Sequence, residues 1–330
     1  MKIWSLQALR FWAAFAVVLF HAYTCTIQTV HEFGVLGEGA ALFGRVGVDV
    51  FFVLSGVIIT LTSQGLTAGA FIARRAQRIL PLYLPLAIFY LVGHDLMVGS
   101  VDWRQTFTSL TLWPALDRMV PPALPVAWTL CFEVLFYTAA ALVIWRPKLI
   151  WALLALFVTA LCLRSSPLLR FIGNPIILEF LMGVGLARLP RWRGAIWLIP
   201  VGLAATWLLG PMVYPLGPSI VDFLNGDMAW GRVLGLGLPA ALIVWGTLQI
   251  EAREGVQTRL GDASYALYLI HLPIVGLISL ALCRVRGLPP DIIVLTAAAA
   301  SVALAWRAHV LFEKPMLAWA RRPAFRLKAA

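Results

Sequence analysis

Arg10 and His21 are the first residues of this sequence with the chemistry of an enzyme, and both fall in its first apolar run. A separation of eleven residues leaves them about 20° apart around an α-helix and about 16 Å apart along its axis. An imidazole can act as a general base or a nucleophile, and a guanidinium can bind a phosphate. A phosphorylated donor and a reaction centre could therefore share this helix face. The alternative is a paired arginine and a hydrogen-bonded structural histidine.

Two carboxylates interrupt later apolar runs, Asp49 in segment 44–56 and Glu133 in segment 128–137. A carboxylate buried in an apolar setting needs a cation or an imidazole. We therefore predict that Asp49 contacts His21 and that Glu133 is an acid/base partner of the same imidazole. The alternatives are that Asp49 caps the start of its helix and that Glu133 makes only a structural hydrogen bond.

A basic segment precedes the third apolar run and contains Arg74, Arg75 and Arg78, followed by Tyr83. Arg74 and Arg78 are one helical turn apart and could present two guanidinium groups to a phosphorylated ligand. A basic loop on the cytoplasmic side also follows from membrane topology alone. The segment is therefore a candidate donor site, and membrane topology is the alternative explanation of its positive charge.

Polar residues also follow a helical spacing in the ninth apolar run, where Ser264, Tyr268 and His271 fall at i, i+4 and i+7. Such a stripe usually faces the interior of a helix bundle. Hydrogen bonding between helices explains it as well as a substrate path does. Ser55 lacks the Gly-x-Ser-x-Gly pattern of a serine nucleophile. The four cysteines form no metal-binding spacing, so we predict no metal site.

The elements that position these residues must lie in a membrane. Of the 330 residues 61% are hydrophobic and 12% are charged, about half the charge of a soluble domain. At roughly 20 apolar residues per crossing, the sequence predicts an all-α polytopic membrane protein, a bundle of about ten helices forming one domain over residues 1–330. The predicted spans are 6–27, 46–63, 79–98, 125–145, 149–163, 171–189, 195–213, 232–250, 264–283 and 292–312.

The distribution of basic residues predicts the orientation. Sixteen lysines and arginines fall on the side of Met1 and eight on the other, with Arg10 and Arg307 counted as intramembrane. The positive-inside rule then places both termini in the cytoplasm. The net charge of +11 orients helices and does not indicate a nucleic-acid partner. The predicted outer segments 99–124 and 214–231 could cover an entrance or could serve as interfacial anchors.

Six motifs follow one another along nearly the whole chain. They are Arg10 with His21, the run 47–56, the basic segment 74–83, Trp128 to Tyr137 with Glu133, Ser264 to His271, and Glu313-Lys-Pro315. Together they resemble the acyltransferase family 3, bacterial membrane O-acyltransferases of surface polysaccharides and related glycans. Gln7-Ala8 is a small departure, because the family often has Arg-Gly there.

The resemblance implies an acyl-CoA co-substrate, acetyl-CoA in the simplest case, that is reached from the cytoplasm. It implies a glycan or lipid-linked glycan acceptor and a place in the bacterial inner membrane among membrane lipids. The implied catalytic residues are His21, Glu133 and Asp49. The implied donor-binding residues are Arg10, Arg74, Arg75, Arg78 and Tyr83. The implied lining of the acceptor chamber is Trp128, Tyr137, Ser264, Tyr268 and His271.

Some family members carry a fused extracytoplasmic domain, whereas this chain extends about 18 residues beyond its tenth predicted span. We therefore expect no fused soluble domain, and an acceptor handled by this chain alone or with a separate extracytoplasmic partner. Whether His21 acts as a base or forms an acyl-imidazole is open. The alternative function is a carrier for a small anion or lipid-linked sugar, although no matched pair of broken helices is visible.

Overall fold

The structure is a computed structural model that describes residues 3–30, 34–213 and 219–320. Within these ranges the regular structure is helical, and one isolated β-bridge joins Ala115 and Met119. Residues 214–218 of the second predicted outer segment, Lys2, and the basic residues after position 320 lie outside the described residues. The orientation of the termini therefore stays a prediction.

Sixteen α-helices follow one another in the described part of the chain. They are α1 Trp4–Val30, α2 Gly37–Thr62, α3 Ala68–Val98, α4 Trp103–Thr111, α5 Trp128–Trp145, α6 Leu149–Leu163, α7 Pro167–Ile172, α8 Ile177–Leu186, α9 Leu198–Val213, α10 Ile220–Asn225, α11 Ala229–Arg232, α12 Leu238–Leu248, α13 Val256–Asp262, α14 Ser264–Leu282, α15 Pro290–Ala308 and α16 Lys314–Ala320. Two 3₁₀ turns (Pro125–Ala127 and Arg193–Trp197) and two π-helical turns (Val233–Gly237 and His309–Glu313) join some of them.

The predicted all-α polytopic architecture is confirmed. Nine helical segments of the described chain are long and apolar enough to cross a membrane. The predicted fifth span corresponds to α6, which has 15 residues. Such a helix is about 22 Å long, shorter than the roughly 30 Å hydrocarbon layer. The described part of the bundle thus has nine candidate membrane-spanning helices and one shorter apolar helix.

Glycines bring α2 very close to its neighbours. A Cβ atom on Gly47 would collide with the backbone of α1 at Ala13, and one on Gly56 would collide with the backbone of α8 at Phe180. Gly183 of α8 approaches Val53 of α2 in the same way. Small residues let helices approach closely where lipid supplies no hydrophobic drive for association. They therefore fix α2, which carries Asp49 and Ser55, between α1 and α8.

Stacked aromatic rings hold α2, α5 and α8 together beside these glycines. The ring centroid of Phe180 lies 4.9 Å from that of Phe52 and 4.7 Å from that of Phe136. Phe52 and Phe180 are almost completely buried. Such aromatic pairs add about 0.5–1.5 kcal/mol each beyond the area that they bury. This layer sets how the polar residues of the three helices face one another.

Candidate active site

Two neighbouring cavities in the described part of the bundle take their names from their functional residues. The arginine cavity, of about 90 Å³, is lined on its polar side by Arg10, Ser55, Arg75, Arg78, Glu133 and Tyr137. The histidine cavity, of about 250 Å³, is lined by His21, Arg45, Val126, Trp128, Phe223 and Arg232. Val48 and Tyr268 line both cavities. The two cavities are therefore neighbours with a shared wall.

The direction of the helices places the cavities toward opposite faces of the bundle. Arg10 and Arg78 lie in the first halves of α1 and α3, and Ser264 begins α14. By contrast, Gly44 lies in the first half of α2, and Pro125 directly precedes α5. Because consecutive spans run antiparallel, the beginnings of α2 and α5 lie at the face opposite the beginnings of α1 and α3. Arg10 and His21 thus line one cavity each, as their separation along one helix requires.

A pair of histidines lies at the wall of the histidine cavity, where His21 lines the cavity and His271, buried behind it, contacts His21. Nδ1 of His21 lies 3.0 Å from the backbone oxygen of Val17 and 3.1 Å from Nε2 of His271. Nδ1 of His271, a fully buried residue, lies 3.1 Å from the backbone oxygen of Leu267. A carbonyl oxygen can only accept, so the neutral His271 carries its proton on Nδ1 and accepts at Nε2. His21 therefore donates from Nδ1.

This arrangement selects one tautomer of His21. With the proton on Nδ1, Nε2 is the unprotonated nitrogen of a ring that lines the histidine cavity. No residue of the described chain hydrogen-bonds Nε2. An imidazole held in one tautomer with a free nitrogen can accept a proton or attack a carbonyl carbon.

The arginine cavity holds guanidinium groups that form no close ion pair with a carboxylate of the described chain. Arg10 donates from Nη1 to Gln7 Oε1 at 3.3 Å, a long hydrogen bond. Arg75 donates to Thr62 Oγ1 at 2.7 Å and lies over the ring of Tyr137. Within the described chain neither Arg10 nor Arg78 has a carboxylate oxygen within 4.0 Å. Cations that line a cavity without a paired anion can bind phosphate.

Glu133 lies in the arginine cavity and not beside His21. Its Oε1 accepts from Ser55 Oγ at 3.1 Å and its Oε2 accepts from Tyr137 Oη at 2.9 Å. It also interacts electrostatically with Arg10. The hydrogen-bond partner of His21 in the described chain is His271 instead. The predicted partnership between Glu133 and His21 is therefore not the arrangement found, because nearby arginines already balance the carboxylate.

The prediction that Asp49 contacts His21 is wrong. Arg232 donates from Nε to Oδ1 and from Nη2 to Oδ2 of Asp49, each at 2.8 Å, and both side chains are buried. Asp49 lies in the middle of α2, so it does not cap the helix either. Glu179, also fully buried, interacts electrostatically with both. Arg232 binds the carboxylate so closely that His21 has no counter-ion there.

The remaining predicted residues divide between the two cavities and the surrounding protein. Trp128 lines the histidine cavity, whereas Tyr137 and Ser264 line the arginine cavity. Tyr83 is fully buried and donates to the backbone oxygen of Ser109 at 2.6 Å, away from both cavities. Arg74 is exposed and lines neither cavity.

A helix turns by about 100° per residue, which explains why Arg74 does not line the arginine cavity and why its predicted contact with the donor stays a prediction. Arg75 and Arg78, spaced i and i+3, share the face of α3 that lines the arginine cavity. Arg74, one residue earlier, points away from that face.

Sequence analysis missed Arg232 and Glu179. Arg232 stood at the predicted start of the eighth span and was counted with the outer basic residues. Glu179 falls inside the predicted sixth span, 171–189. Because burying a carboxylate in lipid costs free energy, its presence inside a span was the signal that could have identified Glu179 as a candidate functional residue.

Known proteins resemble this chain over nearly its whole length. The model of a family described as an acyltransferase domain matches residues 3–309. The exopolysaccharide production protein ExoZ of Rhizobium meliloti (strain 1021) is 30% identical over 337 aligned positions, which cover 91% of this chain and 94% of that protein. The acyltransferase MdmB of Streptomyces mycarofaciens is 25% identical, with coverage of 82% and 78%. No solved structure matches the chain.

Proposed function

We propose, since this chain belongs to acyltransferase family 3, that it moves an acyl group from acyl-CoA to a hydroxyl of a surface or membrane-linked glycan. The proposed acyl group is acetyl, and the bacterial inner membrane is the proposed location. ExoZ is named for exopolysaccharide production, which supports a glycan acceptor here. Family membership also favours an enzyme over the alternative of a carrier.

The observation that carries this proposal is the histidine pair. His21 Nε2 is the unprotonated nitrogen of a residue that lines a cavity, and the ring is oriented through Nδ1 by Val17 and His271. A catalytic imidazole oriented by a hydrogen bond at its other nitrogen is a recurring arrangement in acyl transfer. No further catalytic side chain is needed for the proposed reaction, because the acceptor hydroxyl is itself the nucleophile.

In the proposed reaction Nε2 of His21 takes the proton of the acceptor hydroxyl. The hydroxyl oxygen then attacks the carbonyl carbon of the thioester, and the carbon–sulfur bond breaks. The thiolate receives the proton from the imidazolium, so the products are an ester and CoA with a free thiol. General base catalysis of this kind contributes typically about 10²- to 10⁴-fold. An acyl-imidazole route would use the same nitrogen.

The donor phosphates are proposed to bind in the arginine cavity. Arg10, Arg75 and Arg78 line it, and neither Arg10 nor Arg78 forms a close ion pair with a carboxylate of the described chain. Phosphate groups match the fork geometry of guanidinium groups. The thioester would then extend toward the histidine cavity past the shared residues Val48 and Tyr268.

Glu133 is proposed to serve the donor side of the reaction. It holds Ser55 and Tyr137 by hydrogen bonds and lies near the arginines. In the absence of donor its charge balances the guanidinium groups, which keeps them from repelling one another. This role replaces the predicted contact with His21.

The direct test uses purified protein in lipid vesicles with acetyl-CoA labelled in the acetyl group. Release of the CoA thiol and transfer of label to a panel of lipid-linked sugars and bacterial polysaccharides are measured together. We expect CoA release that increases with a suitable acceptor, and labelled glycan. Absence of CoA release from acetyl-, propionyl- and butyryl-CoA by folded protein, with every acceptor of the panel, would reject acyl-CoA as the donor.

A further inference from the structure

We propose that Tyr268 is the partition between the arginine cavity and the histidine cavity, and that it limits the size of the acyl group that reaches His21. The proposal rests on the proposed function for its acyl group, whereas the partition itself is a property of the fold. Tyr268 is a side chain that lines both cavities. It is 7% exposed, so it fills the space between them.

The hydroxyl group of Tyr268 is fixed to α5 and to the turn before it. Tyr268 Oη donates to the backbone oxygen of Val126 at 3.0 Å and lies 2.9 Å from Thr129 Oγ1. Val126 lines the histidine cavity and Thr129 lines the arginine cavity. The phenol thus extends from α14 to the start of α5 and closes the shared wall at both of its sides.

Neighbouring rings fix the aromatic part of Tyr268. Phe51 of α2, which lines the arginine cavity, meets it edge to face at a centroid distance of 5.9 Å. On the other side the ring of His271 lies 6.1 Å away. Tyr268 therefore touches the wall of the donor side and the residue that orients His21. Tyr268 and His271 are one turn apart on α14, so the helix fixes the position of the Tyr268 ring relative to His271 and, through it, to His21.

Two consequences follow for acyl transfer. A donor with its phosphates among the arginines must pass the acyl group beside Tyr268, so the room left by the phenol restricts the chain length. The same ring separates the water of one cavity from that of the other. Water that reached the thioester would hydrolyse it to a free carboxylic acid and CoA, so the donor would be consumed without transfer to the acceptor.

The partition can be tested without catalysis. The four native cysteines, which are free in the described chain, are first replaced, and Ser55→Cys places a thiol in the arginine cavity. A small, charged, membrane-impermeant thiol reagent is then applied to one face of the membrane at a time. We expect labelling only from the face of the arginine cavity, and labelling from both faces once Tyr268→Ala is added.

Tyr265→Ala provides a matched control. Tyr265 is on the same helix and lines the arginine cavity but not the histidine cavity. Its removal deletes the same aromatic volume and should leave the second face unreactive. Labelling from the histidine-cavity face with Tyr268 intact, or no labelling from that face in Tyr268→Ala, would overturn the partition.

Acyl-chain selection is tested by CoA release from acetyl-, butyryl- and hexanoyl-CoA with and without acceptor. Tyr268→Ala is expected to raise the hexanoyl-to-acetyl ratio of kcat/KM by about tenfold or more, as a pocket that gains room for methylenes does. The acceptor-independent fraction of CoA release should also rise. An unchanged ratio in a variant that the labelling shows to be open would reject the size limit. Wild-type protein that releases no CoA would contradict the proposed function, and the labelling would still decide the partition.

Discussion

Replacement of His271 by leucine should slow acyl transfer without weakening the binding of acyl-CoA. His271 is fully buried and accepts the hydrogen bond of His21 Nδ1 at 3.1 Å. When His21 takes a proton its ring becomes a cation, and a hydrogen bond to a charged group contributes about 1.5–3 kcal/mol. Loss of that bond in the transition state corresponds to about a 10- to 100-fold decrease in kcat.

The donor site should be unaffected, because His271 does not line the arginine cavity. His21 also keeps its hydrogen bond to the Val17 oxygen, so its tautomer should survive and some activity should remain. His271→Gln offers a side-chain oxygen that can accept from Nδ1, and we expect it to recover part of the lost turnover.

The assay is steady-state CoA release at varied acyl-CoA and acceptor concentrations for the wild type, His271→Leu, His271→Gln and the double variant with His21→Ala. If His271 acts through His21, its removal should cause no further loss in the His21→Ala background. Independent, additive losses would refute this reasoning, and so would a decrease in kcat/KM that comes only from a higher KM for acyl-CoA.

Three further predictions concern the charged residues of the core. Arg78→Glu should raise the KM for acyl-CoA more than Arg78→Lys does. Arg74→Glu, at an exposed position outside the cavity, should raise this KM much less, and equal effects at both positions would contradict the donor site. A C-terminal reporter checks that the orientation of each variant in the membrane is unchanged. Glu133→Gln should lower the KM for acyl-CoA, because it removes an anion from an anion-binding cavity while the amide oxygen can still accept from either Ser55 or Tyr137. A raised KM would argue against this placement. Arg232→Leu should destabilise the fold by about 3–5 kcal/mol, because it leaves the Asp49 carboxylate buried without its partner. Replacement of both Arg232 and Asp49 by leucine should recover part of this loss, as measured by thermal unfolding in detergent. An unchanged unfolding temperature of Arg232→Leu would show that the pair contributes little to stability.

The helices could be predicted from the sequence because lipid offers the backbone no hydrogen-bond partners. A chain in the hydrocarbon layer must satisfy its own hydrogen bonds, so apolar runs of about 20 residues become helices. The predicted spans accordingly overlap the long helices, and the one at 149–163 is the shorter α6. The third was placed too late, because α3 begins at Ala68 and includes the basic segment predicted to precede the span. The break between α7 and α8 falls at Gly173-Asn174-Pro175, a turn signal that the predicted continuous span 171–189 did not use.

Which residues of different helices contact one another across the bundle could not be predicted from the sequence. Asp49 and Arg232 are 183 positions apart, and His21 and His271 are 250 apart. Periodicity reports which face of a helix is polar, and it placed His271 on an interior stripe, but it does not report which other helix meets that face. Arg232 reaches the core because the short helices α10 and α11 fold part of a predicted outer segment back toward the bundle.

The measurement that tests this account most directly is glycan acylation by His21→Ala beside a matched histidine variant. His94→Ala serves as the control, since His94 lies near the end of α3, is partly exposed and lines neither cavity. Both proteins are purified, shown to be folded and equally abundant, and given labelled acetyl-CoA with acceptor. We expect His94→Ala to retain wild-type transfer and His21→Ala to lose at least about 100-fold. Transfer by His21→Ala close to that of His94→Ala would remove His21 from the mechanism.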